Sequence, residues 1–306
     1  MSDPTWVRTR HLWGHSAASD FRFILSPMLS VVLITFNEEA NLGRTLESVK
    51  PLVSERRGEI IVVDSGSTDR TAEIAKSFGA KVFVEAWKGY AGQKNSAIEK
   101  ATGDWILSLD ADEEISTEFC KLILPFTEPE GLAEAGLAAA TGSAVKAEKE
   151  PGGATIEGYW IARKNHFLGR WIKHGGFWPD PKLRLFRRGC GRFEDRSVHE
   201  TVKVSGQTVT LKHGAIFHHS YPTLSDYIDH MNRYSSLGAG TVVAVGQARF
   251  SVINIVIRPW LTFFYNYFLR LGFLDGREGL LLHLYHAVYV SWKYAKAWEI
   301  ARSRKP

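Results

Sequence analysis

The chain has 306 residues, 44% hydrophobic and 23% charged, a balance that supports a sizeable buried core and excludes intrinsic disorder. Its two cysteines, Cys120 and Cys190, stand far apart with no Cys-x-x-Cys pair, which argues against a disulfide framework or a cysteine zinc site and fits a reducing compartment. The net charge is +5, and residues 251–306 alone carry eight Lys/Arg against three acids, so the basic excess gathers at the C-terminal end.

Residues 1–27 contain no uninterrupted apolar core of signal-peptide length and read as an N-terminal extension without assigned function. Residues 30–36 (SVVLITF) form a continuous β-branched and apolar run, suited to a parallel strand buried on both faces. Two similar runs, 60–64 (IIVVD) and 105–110 (WILSLD), each end in a carboxylate, and 81–84 is a shorter strand candidate. Helical stretches at 39–49, 69–78 and 91–101 separate them, giving the alternation of an α/β doubly wound sheet, in which ligands sit beyond the carboxyl ends of the strands. Residues 128–153 turn to Ala, Gly, Glu and Pro and read as an inserted loop. Strands are expected at 158–163, 182–187 and 209–217, followed by a helix from Leu224 behind Pro222-Thr223. The expected division is an extension (1–27), a catalytic domain (28–250) and an amphipathic helical region (251–306).

Three strand ends carry the chemistry. Asp110 and Asp112 lie two residues apart after an apolar strand, where carboxylates can share a divalent cation that neutralises a leaving diphosphate. A lone D-x-D is otherwise commonly a solvated turn. Asp64 opens Asp64-Ser65-Gly66-Ser67-Thr68-Asp69, which reads both as a strand-to-helix turn and as a carboxylate free to accept from a base or ribose. The first strand ends in Phe36-Asn37-Glu38, an aromatic plane beside a carboxylate. The loop Asn37-Glu38-Glu39 is acidic, which opposes both a nucleotidyltransferase phosphate loop and a dinucleotide-binding G-x-G-x-x-G turn.

ITFNEE (34–39), VVDSGSTD (62–69), GQKNSA (92–97) and LDADE (109–113) occur in this order, and together they resemble the inverting family-2 glycosyltransferases of the GT-A fold. Further segments, including RKN (163–165), LRLFRR (183–188), FEDRSVHE (193–200) and HHSYPTLSDYIDHMNRYS (218–235), are similar to a lipopolysaccharide-core branch that includes β-1,4-glucosyltransferases acting on heptose.

The resemblance implies a nucleotide-sugar donor, with a UDP-sugar favoured, and a lipid-linked glycan acceptor; the alternatives are a polyprenyl-phosphate-linked or other glycolipid acceptor, or a non-catalytic membrane-binding module. It implies Phe36, Glu38, Asp64, Lys94 and Asp110 as donor contacts, with Asp112 on a divalent metal, Mg²⁺ or Mn²⁺, and His218 on that metal or on the diphosphate. Glu200 falls at the catalytic base, with Asp195 as its rival, because an acceptor hydroxyl needs a group to take its proton. Arg184 is a candidate diphosphate clamp, an exposed strand arginine being the ordinary alternative.

Within residues 258–270 the polar residues Arg258, Thr262, Asn266 and Arg270 recur every fourth position among aromatic and aliphatic ones. The uncharged runs 259–269 and 279–292 fall short of the ~20 residues needed to span a bilayer. A peripheral position is therefore expected at a membrane surface, the cytoplasmic face of the inner membrane, with Lys293, Lys296, Arg302, Arg304 and Lys305 facing anionic lipid and no nucleic-acid partner. Packing on the catalytic domain or in a dimer is the competing reading of the same helices.

Overall fold

Strand β1 (Leu29–Thr35) is buried along almost its whole length and forms the axis of the sheet. A computed structural model describes residues 29–54, 57–124, 156–194 and 201–303; the expected extension and inserted loop lie outside these. Beside β1 run β2 (Gly58–Asp64) and β4 (Trp105–Asp110), both parallel to it, and β3 (Lys81–Val84) pairs with β2 at the edge. Helices α1 (Leu42–Val53), α2 (Thr71–Ser77) and α3 (Tyr90–Glu99) make the crossovers. On α1 the buried Leu42, Leu46 and Val49 recur at helical spacing and seat one face on the sheet.

After β4 come β5 (Glu113–Ile115), α4 (Thr117–Ile123) and the long β6 (Ile156–Phe167), followed by β7 (Arg170–Trp171) and β8 (Asp180–Arg187). A separate ribbon pairs β9 (Gly191–Phe193) with β10 (Val202–Val204). Strands β11 (Gln207–Thr210) and β12 (Ile216–Tyr221) both pair in parallel with β6. The main sheet has the order β3-β2-β1-β4-β8-β6-β12-β5, and one apolar cluster packs on each of its faces. The order reverses at β1, and register aligns Thr35 with Asp64 and Ile34 with Asp110, so three functional strand ends open at one switch point.

The alternating pattern over residues 30–110 is borne out as an α/β sheet, whereas the single strand expected at 209–217 is two. Gly214, at φ +77°, packs so closely on Phe119 that a Cβ would lie 2.7 Å from its Cα. The chain leaves the sheet there, which lets β11 pair with the first half of β6 and β12 with the second. Helix α5 (Leu224–Ala244) starts at the expected signal, where Thr223 and Asp226 form a capping box.

The C-terminal unit consists of α6 (Arg258–Phe264), flanked by the π-helical turns Ile253–Ile257 and Tyr265–Leu269, and then α7 (Gly276–Ser303), which packs along α5. Among the described residues no helix is long and apolar enough to cross a membrane. Outward positions of the α6 segment are apolar: Ile253 is 66% exposed, Trp260 62% and Leu269 64%. Within the polar stripe Thr262 and Asn266 are half-buried while Arg258 and Arg270 are exposed, so its two arginines share the solvent-facing surface with the apolar positions. The expectation for Lys296 is corrected: its ammonium is bound to Asn232, Ser235 and Ser236 of α5. Lys293 packs against Gly238 and over the Tyr294 ring, and Arg304 and Lys305 lie outside the described residues.

Candidate active site

At the end of β2 the Asp64 carboxylate is buried and already accepts four hydrogen bonds. Oδ1 takes the backbone N–H of Gly66 and Ser67 at 3.0 and 2.8 Å, while Oδ2 takes the hydroxyls of Thr35 and Ser67 at 2.7 and 2.5 Å. The loop it shapes clasps the one after β1. Asn37, at φ +55°, donates its N–H to Ser67 Oγ and accepts from the Thr68 N–H, and Glu38 donates its N–H to Thr71 Oγ1. Phe36 is left 58% exposed above this clasp. Glu38 is half-buried, and burial, followed by the charges of Asp112 and Asp110, raises its pKa against the lowering effect of Asn41.

At the end of β4 the acids are held by charge. Asp110 Oδ1 meets Lys94 Nζ at 2.7 Å and Oδ2 meets an Arg184 terminal nitrogen at 2.5 Å. Burial pushes the Asp110 carboxyl up, but Arg184 and then Lys94 outweigh it and hold it well below the usual carboxylate range. The same Arg184 nitrogen donates to Glu113 Oε1 at 2.6 Å; Glu113 is fully buried and also meets Arg163 at 3.2 Å. Arg163 continues to Asp180 at 2.8 Å, and Asp180 accepts from the Asn165 amide at 3.0 Å. Asn165 Oδ1 lies 2.9 Å from His218 Nδ1, and His218 Nε2 lies 3.3 Å from Asp112 Oδ2. The two aspartates of LDADE are thus the two ends of one chain of side chains that runs through β8, β5, β6 and β12.

The register explains this convergence: His218 pairs with Glu113 on β5 and with Asn165 on β6, placing three polar side chains abreast. Asp112 is held ionised, with burial raising its pKa and His218 lowering it to a net depression. Next along the strand, His219 takes a different partner, Glu114 at 3.3 Å, and stacks on His166. A cleft of about 300 Å³ lined by Asn41, Arg44, His166 and His219 opens there.

The structure therefore brings Lys94, Asp110, Arg184, Asp112 and His218 together, with Glu38 close enough to feel the Asp112 and Asp110 charges. Arg184 is buried rather than exposed, and its ion pairs are to Asp110 and Glu113. Glu200 and its rival Asp195 lie outside the described residues. Glu113, Arg163 and Asp180 fall outside the sequence-predicted site residues; the signals for the first two are the glutamate that follows the two aspartates of LDADE and the RKN triplet.

Among the described residues no group of three or more His, Cys, Asp or Glu forms a protein cage for a metal. Asp112 and His218 nevertheless offer one carboxylate and one imidazole side by side. That donor set fits a hard divalent cation completing its shell with water and substrate phosphate oxygens.

A doubly wound sheet with a carboxylate paired to Lys94 and Arg184 at its switch point defines an α/β protein with a candidate ligand site beyond its strand ends. The family model for glycosyl transferase family 2 matches residues 30–189, and the chain belongs to that family: it is a glycosyltransferase. The lipopolysaccharide core biosynthesis glycosyltransferase LpsC of Rhizobium meliloti (strain 1021) is 31% identical over 89% of this chain and 92% of its own length. An uncharacterized glycosyltransferase of Rickettsia typhi is 30% identical over 89% of this chain and 87% of its own. Among solved structures, the mannosyltransferase PcManGT of Pyrobaculum calidifontis, in complex with GDP-Man and Mn²⁺, is 14% identical, with a TM-score of 0.49 over 92% of this chain and 88% of its own.

Proposed function

We propose that this glycosyltransferase moves a sugar from a nucleotide-sugar donor, with a UDP-sugar favoured, to a lipid-linked saccharide of the lipopolysaccharide core or a related envelope glycan, with inversion. The observation that carries this reading is the meeting of Asp110 and Asp112 with Lys94, Arg184 and His218 beyond the carboxyl end of β4. The similarity to LpsC over nearly the whole chain supports the acceptor class.

In this reading Phe36 and Glu38 face the base and ribose, and Asp64 shapes the wall beneath them. Lys94, Asp110 and Arg184 form the donor side. Asp112 and His218 would hold a divalent cation, Mg²⁺ or Mn²⁺, which when bound supplies positive charge to the diphosphate. Glu200 takes the proton of the acceptor hydroxyl as its oxygen bonds to the anomeric carbon, while the bond from that carbon to the diphosphate breaks and the nucleoside diphosphate leaves.

The exposed apolar stripe of the α6 segment suits a position on the membrane surface, at the cytoplasmic face of the inner membrane, where a lipid-linked acceptor is anchored. Arg270, stacked 5.7 Å from the Tyr265 ring, lies at the end of that stripe.

The reaction is tested by screening nucleotide sugars with lipid-linked acceptors in Mn²⁺ and in chelator. Glu200→Gln should lower turnover by about 10²- to 10⁴-fold with donor affinity little changed, and Asp112→Asn should abolish the response to metal. Full turnover in chelator removes the metal, and a product that retains the donor's anomeric configuration removes single displacement. For the membrane, Trp260→Ser combined with Leu269→Ser should weaken binding to anionic vesicles while melting stays unchanged. Point substitutions are preferable to truncation because α7 packs along α5. Equal vesicle binding would assign the stripe to another partner.

A further inference from the structure

The amide of Asn165 can sit only one way round. Asp180 Oδ2, an acceptor, lies 3.0 Å from Asn165 Nδ2, and the backbone carbonyl oxygen of Phe177 lies 3.5 Å from the same nitrogen. Both require the NH₂ end, which leaves Asn165 Oδ1 facing His218 Nδ1 at 2.9 Å. The Ser220 hydroxyl, 2.6 Å from the same ring nitrogen, can accept as well. Nδ1 therefore carries an N–H, which leaves Nε2, the atom 3.3 Å from Asp112 Oδ2, as the nitrogen whose lone pair a cation would take.

Asp180 is fixed in turn. Arg163 reaches it through two nitrogens at 3.0 and 2.8 Å, and Lys182 at 2.9 Å. Neither Asn165 nor Asp180 is hydrogen-bonded to Asp112, so their route to it passes through His218.

We infer that Asn165, oriented by Asp180, is a positioning residue that sets the His218 tautomer and ring plane so that Nε2 and Asp112 form the cation-binding pair. Ligating imidazoles are commonly held through their second nitrogen in this manner, and loss of the partner costs roughly 10- to 100-fold in metal affinity. The inference rests on the proposed role of Asp112 and His218.

The test is Mn²⁺ titration of the full chain by electron paramagnetic resonance in saturating UDP, with GDP in parallel. Asn165→Leu removes both hydrogen bonds at similar volume and should weaken Mn²⁺ binding about 10- to 100-fold. Nucleotide affinity measured in chelator should stay near wild type, while the melting temperature falls somewhat because Asp180 and His218 each lose a partner. Asp180→Asn should reproduce part of the loss, because its amide can turn an N–H toward Asn165 and release the orientation.

The deciding measurement is a cycle with His218→Ala. If Asn165 acts through His218, Asn165→Leu has no further effect on Mn²⁺ affinity in the His218→Ala background, whereas a merely structural role lowers affinity again. Wild-type Mn²⁺ affinity in Asn165→Leu, alongside a loss in His218→Ala, overturns the positioning role and leaves the metal pair standing. Wild-type affinity in both His218→Ala and Asp112→Asn overturns the metal pair itself.

Discussion

Asp64 and Asp110 end strands on either side of β1, yet they are held in opposite ways. Asp64 is surrounded by neutral donors, three of them from Gly66 and Ser67 in its own loop and one from Thr35 in the neighbouring register position. Asp110 is held by ammonium and guanidinium groups, and Arg184 arrives from 74 residues away in sequence. The first arrangement makes a rigid loop. The second brings together charges whose positions depend on the whole second half of the sheet.

Arg184→Ala should show the largest effect, because it leaves Glu113 and Asp110 without their shared cation. Breaking a buried pair from one side costs about 3–5 kcal/mol, to be read as a fall in the urea midpoint. Asp64→Asn should cost only about 1 kcal/mol, since an amide oxygen still accepts the loop N–H groups and the two hydroxyls can rotate to accept instead. Equal losses in the two variants would erase the distinction between them.

The smallest effect is in acid. Asp110 has a depressed pKa in the folded chain, so the unfolded chain binds its proton first as pH falls. Its stabilisation is full above the ordinary carboxylate value and is lost as pH drops through the folded value. Urea midpoints at pH 5, 4 and 3 should therefore decline more steeply for wild type than for Arg184→Ala. Parallel declines would detach Arg184 from the Asp110 titration.

The same contrast explains what was legible in the sequence. The β-branched runs ending in Asp64 and Asp110 announce strands and strand ends because burial on both faces requires such runs, and a local turn such as Asp64–Ser67 is written in adjacent residues. The partners of Asp110 and Asp112 are set by strand pairing instead. Nothing in the spacing of Glu113, Arg163 and Asp180 says that β5, β6 and β8 will bring them within bonding distance. Lys296 shows the same limit in the helical unit: its charge suggested lipid, and its position on α7 gave it to α5. The break between β11 and β12 depended on how closely Gly214 approaches Phe119, which local pattern does not carry.

The chain of side chains from Asp110 through Arg184, Glu113, Arg163, Asp180, Asn165 and His218 back to Asp112 constrains how the sequence can change over time. Replacing one link strands the charge or dipole on each side of it, so single steps are costly even where the replacement fits by volume. Paired replacement is a different matter, because exchanging both partners of a buried pair for apolar groups of similar size is often nearly neutral. Relatives that drift at Arg163 should therefore be found to have drifted at Asp180 or Glu113 too, leaving in an alignment the trace of a contact between β6 and the strands beside it.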